Sequence, residues 1–317
     1  MILLLTACDL GAPPQPGATE EVMFEVPAGA TARGLADELA AEGLIAEEWR
    51  WEWHLRLGAD GACIKAGRHR VTRGMTADEL LAALCGVPVP KDEPFTVVEG
   101  WRIREIDAAL AEKGWIQPGA YEAVAKDVTL YRAPFPLPQG TLEGYLYPET
   151  YRVEPDRFDP KDFVQRQLDT FAARFWDRRK GDVGARSLEQ IVVMASLLER
   201  EEPTPANRPL VAGILWKRLD SGWNLGVDAT SRYTLADWND REAFLKKLRD
   251  PQDPWNTRLR GGLPPTPIGN PGVVALDAAL DPVPSEYWFY LHDAQRVLHP
   301  SRNEAEHEAY RRKYDVY

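Results

Sequence analysis

The 317-residue chain carries a net charge of −11 and has no basic stripe, which excludes nucleic acid as its main partner. Its composition, 44% hydrophobic and 27% charged, is that of a globular protein, long enough for two domains or a core domain with an N-terminal module. With 11 Trp, 11 Tyr and 9 Phe it is well supplied with flat rings, which suit core packing and stacking on sugars alike.

At the N-terminus, Ile2–Ala7 is apolar but far short of the roughly 20 residues that span a bilayer. Leu5-Thr6-Ala7-Cys8 resembles a bacterial lipobox, which makes Cys8 the candidate lipidated residue. The leader is short and lacks a basic n-region, as expected of a truncated or mis-assigned start. Asp9 directly after Cys8 resembles the signal that keeps lipoproteins in the inner membrane, and the Pro/Gly-rich residues that follow read as a tether. The other reading is a disordered terminus with an incidental cysteine. Cys63 and Cys85 could pair in an exported protein; the expectation is two small buried hydrophobes. Without a CxxC or a His/Cys cluster, neither a metal nor a cofactor is expected.

An internal repeat follows. Phe24–Gly29 recurs 71 residues later as Phe95–Gly100, and Leu35, Leu39, Gly43 and Ile45 recur as Ile106, Leu110, Gly114 and Ile116. A partial copy, Val71, Gly74, Leu80 and Leu84, lies between them. Each unit reads as a short strand, a Gly turn and an amphipathic helix, with Thr76 and Glu79 forming a capping box in the middle one. Such units resemble LysM modules, which bind N-acetylglucosamine-containing glycans; a purely structural role is the alternative. The organisation expected is α+β: a signal remnant and tether at 1–20, LysM-like repeats at 21–118, and a catalytic domain at 119–317.

Residues 120–138 read as irregular, broken by Pro134, Pro136 and Pro138. The aromatic stretch 140–153 reads as extended, with Glu143 and Glu149 among its tyrosines. Carboxylates among aromatics suit hydroxyl recognition, and also an edge strand with acids facing water. Lys161–Arg179 reads as an amphipathic helix lying as a solvated cover, and Asp237–Asp250 as a charged insertion. Ser187 with Gln190 forms a capping box for an apolar helix that ends in Glu199, Glu201 and Glu202. Acids there oppose the helix dipole. Glu201 continues the line of Met194, Leu197 and Leu198, and a carboxyl on an apolar line loses water and gains proton affinity, as a general acid requires. A second helix follows at about 208–219, then a polar run at 224–233 and a loop at 253–272 dense in Pro and Gly. The chain closes with a short helix, a strand ending at His292, and a last helix.

Together these stretches resemble the endolytic murein transglycosylase family, the YceG-like proteins. The resemblance rests on VEG at 98–100, LEGYLYPETY at 142–151, MASLLERE at 194–201, VAGILWKRL at 211–219, LGVDATSRY at 225–233, WNT at 255–257, GLPPTPIGNPG at 262–272 and the His299-to-His307 tail. They occur in family order and cover nearly all of the chain after Phe24. The chain departs from the family at Lys217 (usually Asn), Trp255 (usually Tyr), Thr266 (usually Gly or Ala) and Pro300-Ser301 (usually aromatic), and it lacks the usual N-terminal membrane helix.

The resemblance implies an envelope enzyme, anchored in the inner membrane and facing the periplasm. Such enzymes cut the β-1,4 bond between N-acetylmuramic acid and N-acetylglucosamine in nascent peptidoglycan, leaving 1,6-anhydromuramyl ends. It makes Glu201 the catalytic acid. Candidate sugar-binding residues are Glu149, Arg218, Asp228, Thr230, Tyr233, Asn256, Thr257 and Asn270. The partners expected are glycan strands, a peptidoglycan synthase and the membrane through an N-terminal anchor. The alternatives are a two-carboxylate hydrolase using Glu201 and Asp228, or a non-catalytic glycan-binding envelope protein.

Overall fold

A computed structural model describes residues 11–58 and 61–316; Cys8 lies outside the described residues. The chain divides into two compact units, the first ending at Glu93 and the second starting at Pro94.

In the first unit, strand β1 (Glu21–Val26) pairs antiparallel with β2 (Gly67–Thr72), Glu21 opposite Thr72 and Val26 opposite Gly67. Between them run helices α1 (Ala36–Ala41) and α2 (Glu48–Arg56); α3 (Ala77–Cys85) follows. Period-two alternation buries Phe24 and Val26, which pack with Leu35, Leu39, Trp51, Leu80 and Leu84. The capping box of Thr76 and Glu79 forms as expected. Cys63 and Cys85 do not stand as separate buried thiols. They form a disulfide, because the turn at Gly61–Cys63 returns to the end of α3, where Lys65 N donates to Leu84 O.

The second unit holds strands β3 (Glu93–Thr96) and β4 (Thr150–Val153), which pair, and β5 (Phe289–His292) and β6 (Leu298–Ser301), which pair antiparallel. Its helices are α4 (Ile103–Glu112), α5 (Ala120–Ala125), α6 (Pro160–Phe171), α7 (Asp177–Arg179), α8 (Leu188–Glu201), α9 (Arg208–Asp220), α10 (Asp228–Arg232), α11 (Arg241–Lys247), α12 (Val273–Leu280) and α13 (Glu304–Tyr314). The last copy of the repeat therefore lies in this unit, and the boundary falls at Glu93 rather than near residue 118. The cause is packing: Phe95, Val97, Ile103, Ile106 and Leu110 belong to the large core, and β3 pairs with β4. Locally the copies agree, down to the left-handed turn at Gly29 (φ 81°) and Gly100 (φ 80°) that only glycine adopts without strain.

Helix α8 is the centre of the core. Leu188, Ile191–Leu198 and their neighbours on α12 and α9 are buried, so the middle of α8 is enclosed on every side between an exposed polar first turn, Glu189 and Gln190, and the acids of its last turn. Its capping box of Ser187 and Gln190 is present. Helix α6 is no solvated cover: Phe163, Val164, Leu168 and Phe171 are buried in the core, and a π-helical turn at Ala172–Trp176 buries Phe175 as well. The tyrosines of the 140–153 stretch also turn inward. Tyr145 lies 5.4 Å from Phe171, and Tyr151 lies 5.1 Å from Phe163. That stretch is extended only at its end, in β4, and the preceding residues 120–138 include α5 and a 3-10 turn at Val128–Leu130.

Candidate active site

The three acids at the end of α8 point in different directions, since each residue turns the helix by about 100°. Glu199 takes a buried ion pair with Arg208 of α9 at 2.6 Å, and its other oxygen accepts from Gly272 N at 3.1 Å. Glu202, the C-cap, has no exposed surface. It accepts from Thr204 N at 2.7 Å and meets His292 Nε2 at 2.9 Å. Glu199 and Glu202 thus face partners of their own rather than water. Glu201 has no cation in ion-pair contact among the described residues. Its Oε1 accepts from Ala229 N, in the first turn of α10, at 3.2 Å, and its Oε2 lies 3.5 Å from the Tyr290 hydroxyl on β5.

Electrostatics then separates the three further. Burial of its carboxyl end holds Glu201 above the ordinary carboxylate range, and the nearby Asp228 charge adds to this; the Ala229 N–H, His292 and Arg258 oppose it. Glu202 moves the other way, because its hydrogen bonds with His292 and Thr204 together outweigh the cost of burial. One residue apart, the helix end thus carries an acid that favours its proton and an acid that favours its charge.

Of the expected sugar-binding residues, Asp228 and Arg218 stand near Glu201. Asp228 is paired with Arg258 at 2.5 Å, and both side chains are exposed. Arg218 donates to the carbonyls of Trp288 (2.7 Å) and Leu225 (2.5 Å), anchoring β5 beside α9. Thr230, Thr257, Asn256 and Asn270 are fully or almost fully buried, and their polar atoms are spent internally. Thr230 and Thr257 share a hydrogen bond and bind Val227, which fixes the chain entering α10. Asn256 donates to the carbonyls of Lys247, Leu248 and Asp250. Asn270 accepts from Gly144 N and Leu146 N and donates to Trp101 O. These four brace the chain around α10 and the loop before α12, and their side chains have little or no open surface to offer a ligand. Tyr233 donates to Glu143 at 3.1 Å and packs on Trp255. Glu149 pairs with Arg174 at 2.7 Å on the surface.

Sequence reasoning missed Tyr290, His292 and Arg258. The pattern Tyr290-Leu291-His292 held the signal: in a strand, residues two apart project to one side, and Leu291 is the buried one. Glu143, named with Glu149 as an acid for hydroxyl recognition or for facing water, is instead buried against Ile103 N, the Tyr233 hydroxyl and Asn270 Nδ2.

The family model described as YceG-like matches residues 24–313. The chain belongs to the YceG-like family. An endolytic murein transglycosylase of Bacillus subtilis is 26% identical over 310 residues, covering 92% of this chain and 84% of that protein. Endolytic murein transglycosylases of two Streptococcus pneumoniae strains are 20% identical, and the matched region spans 57% of their length. A solved YceG-like protein of Listeria monocytogenes shares the fold, with a TM-score of 0.60 at 22% identity, over 92% of this chain and 99% of that one. The α+β architecture described above is therefore a YceG-like fold.

Proposed function

We propose that this YceG-like protein is an endolytic lytic transglycosylase of peptidoglycan with Glu201 as its single acid and base. The observation that carries this is the isolation of Glu201: alone of the three acids ending α8 it has no Arg, Lys or His in contact among the described residues, and its carboxyl sits in a partly open, mostly desolvated position under two donors. In this reading neutral Glu201 protonates the glycosidic oxygen between N-acetylmuramic acid and N-acetylglucosamine. The C1–O bond breaks with its electron pair staying on that oxygen. Glu201, now a carboxylate held by Ala229 N–H and the Tyr290 hydroxyl, accepts the proton of the muramyl 6-hydroxyl as that oxygen closes on C1. The product is a 1,6-anhydromuramyl end and no water is consumed, so no second carboxylate is required. The names of the relatives support the substrate class.

The two-carboxylate hydrolase reading needs Asp228 as a free base or nucleophile, and its ion pair with Arg258 weighs against that. Mass spectrometry of digested peptidoglycan separates the two: anhydro ends for a transglycosylase, reducing ends for a hydrolase. Glu201→Gln is expected to remove at least about a thousandfold of the turnover while leaving the melting temperature within about 2 °C of wild type. Wild-type turnover in that variant would sink the assignment.

The same reading places the enzyme in the cell envelope, anchored through lipidated Cys8 with the catalytic unit facing the periplasm, where it would end glycan elongation beside a synthase. The Cys63–Cys85 disulfide supports an oxidising compartment. Palmitate labelling that survives Cys8→Ala would reject the anchor. The strand–helix units of the first compact unit are the candidate glycan-holding region, testable by binding to sacculi of a variant lacking residues 21–92.

A further inference from the structure

Two stretches of chain lead away from Glu201 and meet again at a distance from it. The first runs back from Ala229, whose N–H meets Glu201, to Trp223 just beyond the end of α9. Its burial alternates as in a strand: Leu225 and Val227 are buried, whereas Asn224, Gly226 and Asp228 are not. The second is β5, followed back from Tyr290, which reaches Glu201, to Trp288, whose N–H donates to Ser301 O at 2.9 Å. Arg218 ties the two stretches together between their ends, through Leu225 O and Trp288 O. At the far end two rings join them: Trp223 and Trp288 lie 4.6 Å apart with their planes at 34°. Trp288 is two residues from Tyr290, about 7 Å along the strand, so the ring pair stands within a few sugar units of the carboxyl. The pair is held firmly. Lys217 Nζ, which donates to Ser285 O at 2.8 Å, lies 4.3 Å from the Trp288 ring, and Trp223 N–H donates to Arg218 O at 2.8 Å. Trp288 is half-buried, but Trp223 keeps 45% of its surface exposed. A ring that rests on another ring and still faces water is ordered before any ligand arrives, so little conformational freedom remains to be lost on binding.

We propose that Trp223 is a remote glycan subsite: a platform on which the C–H face of a hexosamine ring of the strand stacks while the bond being cut lies at Glu201. The occupant follows from continuity. The stretches that present the Ala229 N–H and the Tyr290 hydroxyl to Glu201 are the ones that carry the platform, so a strand seated at Glu201 and running along them meets Trp223. A pyranose ring offers an apolar face to an indole and leaves its hydroxyl and acetamido edges to polar neighbours. Asn224 and Asp228 supply polar side chains on the course between platform and acid. No bond is made or broken at Trp223; its contact adds binding energy that only a strand long enough to reach it can use. The inference rests on the reading of Glu201 as the acid of a peptidoglycan transglycosylase, and it adds to that reading a preference for longer strands.

The test uses the full chain and two probes. The first is soluble peptidoglycan strands of graded length, with kcat and KM read from the product ends. Wild-type kcat/KM is expected to rise about five- to tenfold once a strand is long enough to reach Trp223, and Trp223→Ala to lose that step through KM. Trp223→Phe, which keeps a ring, should recover most of it. The second probe is β-1,4-linked N-acetylglucosamine oligomers of increasing length, titrated calorimetrically; the same step in affinity should appear in the wild type and be absent from Trp223→Ala. A wild type without the step, or a Trp223→Ala protein that keeps it, overturns the proposal. So does a variant that weakens on short and long oligomers alike, as a ring that only packs on Trp288 would. Should Trp223→Ala fail to fold, the assigned indole Nε1–H signal of Trp223 in the wild type decides: movement with long oligomers but not short ones supports the subsite, and a signal unmoved by either overturns it. Failure of the underlying reading looks different. If Glu201→Gln stays active, or the products carry reducing ends, the acid or the reaction is wrongly assigned, while the oligomer titration still decides for or against Trp223.

Discussion

Glu143 and Glu201 are two carboxyl groups of one compact unit, both shielded from water and both under a tyrosine hydroxyl, yet their surroundings suit opposite tasks. Glu143 is sealed. Ile103 N, the Tyr233 hydroxyl and Asn270 Nδ2 converge on it, tying together the start of α4, the 140–147 stretch, the end of α10 and the loop before α12. Burial pushes it up to about 8. Glu201 has fewer donors, keeps part of its surface open, and sits next to the exposed Asp228–Arg258 pair. A raised proton affinity is thus common to both and identifies neither as the acid. The partly open side of Glu201 is what favours it as the proposed acid.

The largest test of this contrast exchanges the two roles. Glu201→Gln is expected to abolish turnover and spare stability. Glu143→Ala should do the reverse: it leaves Ile103 N–H and Asn270 Nδ2 without their buried acceptor and opens a cavity, at about 3 kcal/mol of unfolding free energy. Denaturant unfolding of both variants checks this. A Glu143→Ala protein as stable as wild type would mean that Glu143 is no hub.

Acidity offers a second, smaller test. The folded-state affinity of Glu143, about 8, lies above the ordinary value of 4.5, so the native state holds a proton that the unfolded chain has released. Its contribution to stability is therefore complete below pH 4.5 and is lost as pH rises through about 8. Wild-type stability should fall by a few kcal/mol across that window, and Glu143→Gln, which cannot titrate, should flatten the slope. An equal slope in the two proteins would assign the titration to another group.

Much of this was legible in the residues. The capping boxes at Thr76 and Ser187, the apolar line leading to Glu201, and the glycine turns of the repeat are local features, encoded within a few positions. The braces were not. Asn270 and Thr230 look the same in sequence whether they face a ligand or a backbone amide, and only long-range packing decides. The same holds for β3, whose alternation is that of β1 but whose partner, β4, lies across more than fifty residues of intervening chain. His292 escaped because its partner Glu202 is ninety residues away in sequence, and neither residue type stands out alone.

The smallest expected effects come from the two tyrosines, which divide the contrast most finely. Tyr233 donates to Glu143 at 3.1 Å, whereas Tyr290 lies 3.5 Å from Glu201, at the outer limit of a hydrogen bond. Tyr233→Phe removes one of several donors to a sealed carboxyl, so stability should drop by about 1 kcal/mol and turnover should change little. In the proposed mechanism, Tyr290→Phe removes a donor from a carboxylate that exists only after proton transfer. Its bond shortens as charge develops on Glu201, so it contributes more to the transition state than to the resting enzyme. That variant should keep its stability within about 0.5 kcal/mol and lose about three- to tenfold in kcat with KM unchanged. A loss confined to KM would instead make the Tyr290 hydroxyl a ground-state sugar contact, and the support of Glu201 would then rest on the Ala229 amide.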